Sequence, residues 1–229
     1  MSENNTIDFS TVLASSVHDM KNSLGMLINS LEGLLEEITP ANEKQETQFK
    51  TLQYEASRIN SELIQLLTLY RMDNDFLPVR VDEDYIGDVI EDQIARNQML
   101  IDSSKIELQI DCDQELPWYF DADLVGGVIH NVLVNCLRYT QSKILIRAHE
   151  ENGYLQVSIS DDGPGYPEDM LREPSGQKEN ASLREGETHL GLYFSEAIAG
   201  MHKSQNKVGS ISLENNTVLT GGTFTLYLP

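Results

Sequence analysis

Apolar residues fall at Leu13, Val17, Met20, Leu24, Leu27, Leu31, Leu34 and Ile38, mostly in alternating steps of four and three. That is the heptad spacing of a helical seam, and a strand, with its period of two, cannot carry it. Thr39-Pro40 stops the run, because proline lacks an amide N–H and restricts the residue before it. A polar stretch over residues 41–48 holds the turn and the next helix start. The spacing then resumes at Phe49, Leu52, Ala56, Ile59, Leu63, Leu66 and Tyr70. Two amphipathic helices on a short link form an antiparallel hairpin, each arm about 35–45 Å long at the helical rise. One hairpin cannot cover its own seam. Pairing two copies into a four-helix bundle does, so the expected state is a homodimer.

After residues 74–78 the texture changes. Short runs read as strands over residues 79–81, 106–112, 143–150, 154–160, 209–213 and 223–228, with Asn152-Gly153 as a hairpin turn. Helices are expected over residues 85–100, 123–139 and 190–202. Helices among mostly antiparallel strands give a two-layer α/β sandwich. The expected domains are residues 1–77 and 78–229. Residues 168–188 are polar and aperiodic and read as a loop.

The 229 residues include 37 acidic side chains against 16 Lys and Arg, a net charge of −21. Such a surface repels nucleic acid and anionic membranes, which recruit Lys and Arg patches. Cys112 and Cys136 lie far apart with no metal-ligand spacing, so reduced thiols are expected rather than a disulfide or zinc site. No run approaches the roughly 18 apolar residues of a membrane span, and residues 1–10 carry no secretion signal. The expected location is cytoplasmic.

Five short motifs carry chemistry. His18 lies beside the seam in His18-Asp19-Met20-Lys21-Asn22. An imidazole accepts a phosphoryl group when its nitrogen is unprotonated, an adjacent carboxylate can hold the other proton, and Asn22 sits one turn on. Asn131 and Asn135 are i, i+4 neighbours followed by Arg138-Tyr139-Thr140. A carboxamide oxygen suits a hard Mg²⁺, while Arg138 and Tyr139 can contact phosphate. Asp161-Asp162-Gly163-Pro164-Gly165 ends a strand, where glycines admit a ligand close to the backbone. His189-Leu190-Gly191-Leu192 opens a helix, whose free N–H groups attract phosphate. Gly221-Gly222-Thr223-Phe224 opens the last strand. His130, His149 and His202 read as structural or surface residues, and the run from Pro117 to Phe120 as packing.

In this order, from about Ser10 to Pro229, the set resembles the histidine kinase family, part of the Bergerat-fold ATPases. His18 through Leu24 looks like the phosphoacceptor box, and residues 131–140 like the N box. Residues 161–165 look like the first glycine box, with Asp161 in the adenine-contacting place. Leu190-Gly191-Leu192 looks like the end of the second glycine box, and residues 221–229 like the closing box and strand. The resemblance implies ATP held by Asn131, Asn135, Arg138, Tyr139, Asp161, Gly163, Gly165, Leu190, Gly191, Leu192 and Thr223, with His189 a further contact and Mg²⁺ on Asn135. It implies His18 as phosphoacceptor with Asp19 as base, and a response-regulator receiver domain as phosphoryl acceptor. Asn22 would position water for the reverse, hydrolytic function. With only about ten residues before the hairpin, the signal is expected to arrive through a separate sensor protein or a ligand.

Two departures bear on activity. Glu187-Thr188-His189 stands where the family usually has Gly-x-Gly, and no phenylalanine lies between Phe120 and Phe194. They favour an alternative: a degenerate phosphotransfer or phosphatase module that does without ATP. An ATP-hydrolysing machine of chaperone or mismatch-repair type is disfavoured, because Asn131 occupies the place of that group's water-activating glutamate.

Overall fold

The computed structural model describes residues 9–37, 41–74, 76–172 and 190–229. The chain divides into two compact units, Met1–Pro78 and Val79–Pro229.

In the first unit, helices α1 (Phe9–Glu37) and α2 (Glu43–Asp73) pack together as a hairpin. The side chain of Asn42 caps α2 by accepting from the Gln45 amide at 3.0 Å. Gln45 Oε1 reaches back to the Ala41 N–H at 2.9 Å, so two amides at the helix start are satisfied reciprocally. The seam divides in two. Ala56 is buried and Leu24, Leu31 and Leu63 are partly covered. Met20, Leu27, Leu34, Leu52, Ile59 and Leu66 are 43–55% exposed.

The second unit begins with β1 (Asp82–Tyr85), followed by α3 (Ile86–Arg96) and α4 (Gln98–Ser104). Next come β2 (Glu107–Cys112), β3 (Pro117–Phe120) and α5 (Ala122–Tyr139). The hairpin β4 (Lys143–Glu151) and β5 (Tyr154–Asp161) leads to α6 (Glu168–Arg172) and α7 (Leu190–Met201). Short strands β6 (Lys203–Ser204) and β7 (Lys207–Val208) precede β8 (Ser210–Asn215) and β9 (Gly222–Leu228).

The main sheet runs β2-β4-β5-β9-β8, with β2 parallel to β4 and every other pair antiparallel. Register stacks Ile146 on Ile159, Ile159 on Phe224 and Phe224 on Leu213, one buried row across four strands. The helices close that layer: α5 and α7 pack on the sheet and on each other, and α3 packs on α5. This is the expected two-layer α/β sandwich. Asp121 ties its start together. Its Oδ1 caps α5 at the Leu124 amide (3.0 Å), and its Oδ2 accepts from the Arg80 amide (2.8 Å).

Four local expectations need correction. The strand expected at 79–81 lies at Asp82–Tyr85, because its partner β3 pairs there. The single helix expected over 85–100 is broken at Asn97, whose side-chain NH₂ donates to the Gln93 carbonyl at 2.7 Å and lies 3.0 Å from His130 Nδ1. The Pro117–Phe120 run, expected as packing, is a strand that buries Phe120 but leaves Pro117 and Tyr119 exposed. Residues expected as loop include the short helix α6.

Candidate nucleotide site

Three chain segments meet where β5 ends. The carboxylate of Asp161 is buried. Its Oδ1 accepts from the Gly163 amide at 2.7 Å, and its carbonyl accepts from the Gly221 amide at 3.0 Å. Burial raises the Asp161 pKa above the ordinary carboxylate value, while the amides of Gly163 and Gly222 offset part of that rise. Such a group is an acceptor in a poorly hydrated place and suits an N–H donor of a ligand.

Close approach explains the glycines. A Cβ at Gly221 would strike Asp161 Oδ1 and the Gly163 amide, and one at Gly163 would lie 2.5 Å from the Tyr139 carbonyl. The first and last glycine motifs are therefore folded onto each other and onto the end of α5. The second motif joins them through α7: a Cβ at Gly191 would come within 2.6–2.7 Å of the Asn131 carboxamide. Thr223 is buried, with its hydroxyl 3.0 Å from Ser160 Oγ and 2.7 Å from Thr217 Oγ1.

The remaining site residues are placed as follows. Asn131 is buried and Asn135, one turn on, is exposed. Arg138 and Tyr139 are exposed in the last turn of α5, with the guanidinium 5.2 Å from the tyrosine ring centroid. Leu190 and Leu192 are half-buried in the first turn of α7. Gly165 adopts φ +78° and lies against Asn215, which accepts from the Tyr166 amide and donates to the Tyr166 carbonyl, both at 2.8 Å. Its role there is to turn the loop. In the first unit, Asp19 and Asn22 are exposed on α1. The backbone of His18 lies in α1, but its side chain is outside the described residues, as are Glu187, Thr188 and His189.

Sequence reasoning missed three contributors. Asp162 Oδ1 accepts from the amides of Gln141 (3.0 Å), Ser142 (2.9 Å) and Lys143 (3.1 Å), and Oδ2 from the Ser142 hydroxyl. Partial desolvation pushes its pKa up, but the Ser142 hydroxyl and these amides outweigh that and lower it to about 2. Cys136 Sγ lies 4.0 Å from Asp161 Oδ2, and burial drives the thiol pKa well up. The Tyr166 ring covers Gly222, as a Cβ there would meet it at 2.7 Å. Only the doubled acid at 161–162 hinted at any of these.

The other histidines are structural or exposed. His202 is buried; its Nε2 accepts from the Asp121 amide (3.0 Å) and its Nδ1 lies 2.9 Å from the Ile198 carbonyl. Burial, with help from Arg96, lowers the pKa of His130. His149 is exposed on β4.

Residues 120–229 match the family described as Histidine kinase-, DNA gyrase B-, and HSP90-like ATPase. The sensor histidine kinase CssS of Bacillus subtilis (strain 168) is 25% identical over 224 residues, 96% of this chain and 46% of that protein. The sensor histidine kinase GraS of Staphylococcus haemolyticus is 24% identical over 221 residues, 95% of this chain and 60% of that protein. The chain thus spans about half the length of the curated relatives it matches. Among solved structures, the Acinetobacter baumannii histidine kinase AdeS aligns with a TM-score of 0.58 at 20% identity, over 92% of this chain and 96% of that one. No helix among the described residues is long and apolar enough to cross a membrane. Residues 120–229 thus match the ATPase domain type shared by histidine kinases, DNA gyrase B and HSP90, and nearly the whole chain is similar to sensor histidine kinases.

Proposed function

We propose that the chain autophosphorylates on His18 with Mg-ATP and passes the phosphoryl group to an aspartate of a response-regulator receiver domain. The observation that carries this reading is the glycine-lined cradle: Gly163 and Gly221 close on Asp161, while Gly191 closes on Asn131. A nucleotide fits this donor set. The buried Asp161 carboxylate offers an acceptor for an exocyclic amine, and the glycines leave room that side chains would fill. Asn135 would hold Mg²⁺ through its carboxamide oxygen, with phosphate oxygens and water completing the shell. Bound there, the cation would neutralise charge developing on the phosphoryl oxygens.

The residues of the chain have separable tasks. An imidazole nitrogen of His18 forms the new N–P bond as the bond from the γ-phosphorus to the bridging oxygen breaks, and ADP departs with that electron pair. Asp19, exposed beside it, holds the proton on the other ring nitrogen. Arg138 and Tyr139 lie at the end of α5, where phosphate would pass. Catalysis is then mostly positioning and charge neutralisation. The unit holding the cradle is also the more acidic: residues 79–229 carry 25 acidic and 11 basic side chains, net −14, against −7 for residues 1–78. Such a field favours the nucleotide as its magnesium complex.

The reverse activity is also proposed: Asn22 orients a water that hydrolyses the phosphorylated regulator. The second reading, a phosphotransfer or phosphatase module that does without ATP, is favoured by Glu187-Thr188-His189 at the expected glycine positions. One experiment separates the two. With γ-labelled ATP and Mg²⁺, the wild type should take up acid-labile, alkali-stable label, and His18→Gln should take up none. Absence of label from the wild type, with no nucleotide binding by calorimetry, selects the second reading. Asn22→Ala should slow regulator dephosphorylation and spare labelling; equal loss of both would remove its water-positioning role.

A further inference from the structure

The second unit contains a cleft of about 520 Å³ that shares no residue with the nucleotide cradle. Its volume lies within the roughly 300–1,000 Å³ range of small-molecule sites. Pro117, Trp118 and Tyr119 of β3 line it, facing Lys203, Ser204 and Lys207 of the β6–β7 hairpin. Although acidic side chains outnumber Lys and Arg 37 to 16 in this chain, no acidic side chain among the described residues lines the cleft; the lining also includes Pro229, which carries the terminal carboxylate of the chain. The carboxylate of Glu83 is engaged from outside the lining, accepting from the Tyr119 hydroxyl at 2.8 Å.

The cleft is pre-formed. His202 lines it, held through Nε2 by the Asp121 amide and through Nδ1 by the Ile198 carbonyl. Lys207 Nζ donates to the carbonyls of Asn152 (2.7 Å) and Gly153 (2.9 Å) and sits 4.5 Å from the Tyr154 ring centroid. Its charge is therefore fixed in place. Lys203 is exposed, with no ion pair among the described residues. Trp118 Nε1 is shielded from water and has no acceptor among the described residues. A buried donor without an acceptor is uncommon in a folded protein. Aromatic walls and two ammonium groups call for one kind of ligand.

We propose that this cleft binds a small planar anion, an aromatic carboxylate of one or two rings. The ring lies against Trp118 and Tyr119, and the carboxylate pairs with Lys203 under the field of Lys207. An aliphatic acid would lose the ring contacts, and an aromatic amine would be repelled by the two lysines.

The chain has a single tryptophan, so fluorescence excited selectively at tryptophan reports from Trp118. Benzoate and 2-naphthoate should each give a saturable change, with matching heats by calorimetry. Acetate and benzylamine should give none. Lys203→Glu, on an exposed two-residue strand, should leave the circular dichroism unchanged and weaken 2-naphthoate by about tenfold or more, the scale of one lost charge-assisted contact. Trp118→Phe keeps an aromatic wall without the N–H; by calorimetry it should weaken benzoate less than Lys203→Glu does. The proposal is overturned if neither arenecarboxylate binds at millimolar concentration. It is equally overturned if benzylamine binds as well as benzoate, or if folded Lys203→Glu binds as the wild type does.

Discussion

Asp161 and Asp162 are adjacent, share a charge type, and are pushed in opposite directions. Burial raises the Asp161 pKa, so its ionised form is less favoured in the empty fold than in water. Asp162 instead accepts from three amides and a hydroxyl, which lower its pKa to about 2 against the desolvation that opposes them. The same substitution should therefore act with opposite sign. Asp161→Asn should leave thermal stability unchanged or raised at pH 7, while nucleotide binding by calorimetry is lost. Asp162→Asn should lower stability by about 1 kcal/mol, the scale of a weakened hydrogen-bond set at a partly exposed site. Its pH dependence has a definite sign. A depressed folded pKa gives stability that is complete above the unfolded value of about 4 and fades as pH falls toward 2. Urea titrations from pH 7 to pH 2 should show the gap between wild type and Asp162→Asn closing at the acid end. A constant gap would mean that Asp162 acts through shape rather than charge.

At the scale of elements, α7 matters because of what its first turn touches. Gly191 meets the Asn131 carboxamide, whereas Gly200 near the other end meets nothing within 4 Å. Alanine favours a helix by up to about 1 kcal/mol over glycine. Gly200→Ala should then be neutral or stabilising and leave nucleotide affinity alone. Gly191→Ala should displace Asn131 and weaken the nucleotide while the fold persists. Equal affinity for the two variants would show that the α7–α5 contact does not shape the cradle. The sequence contained both glycines but not this contrast. Periodicity located α7, α5 and the β4–β5 hairpin, because each buries a regular set such as Ile144, Ile146 and Ala148. It did not locate β3, a short strand that starts with proline and pairs with β1 alone. Nor did it break the helix at Asn97, because apolar residues continue into α4 and the break depends on His130, 33 residues away. The motifs named Asp161 and the glycines. That Asp162 is a latch for the α5–β4 turn depends on long-range hydrogen bonds that leave no local pattern.

At the scale of the whole molecule, the hairpin leaves half its seam exposed at a step of seven: Met20, Leu27 and Leu34 on α1, and Leu52, Ile59 and Leu66 on α2. Those residues form an apolar stripe on each helix. Such stripes are rarely left to water, and a second copy offers the same spacing. Fully burying an exposed Leu, Ile or Met side chain contributes about 1.5–3 kcal/mol; completing the burial of twelve half-covered side chains across two copies adds about half that for each, against the repulsion of two hairpin units carrying −7 each. Charge and apolar surface thus make different demands on salt. The repulsion is screened as ionic strength rises, whereas the apolar term is not weakened. The wild type should sediment as a dimer, and more firmly at high salt. Leu27→Lys with Ile59→Lys should give a monomer that keeps its helical circular dichroism, since both side chains are already exposed in one copy. The cradle in that monomer should bind Mg-ATP with unchanged affinity, because no residue of the stripe belongs to it. A wild type that sediments as a monomer at every salt concentration would remove the dimer, and the stripe would then need a different partner to cover it.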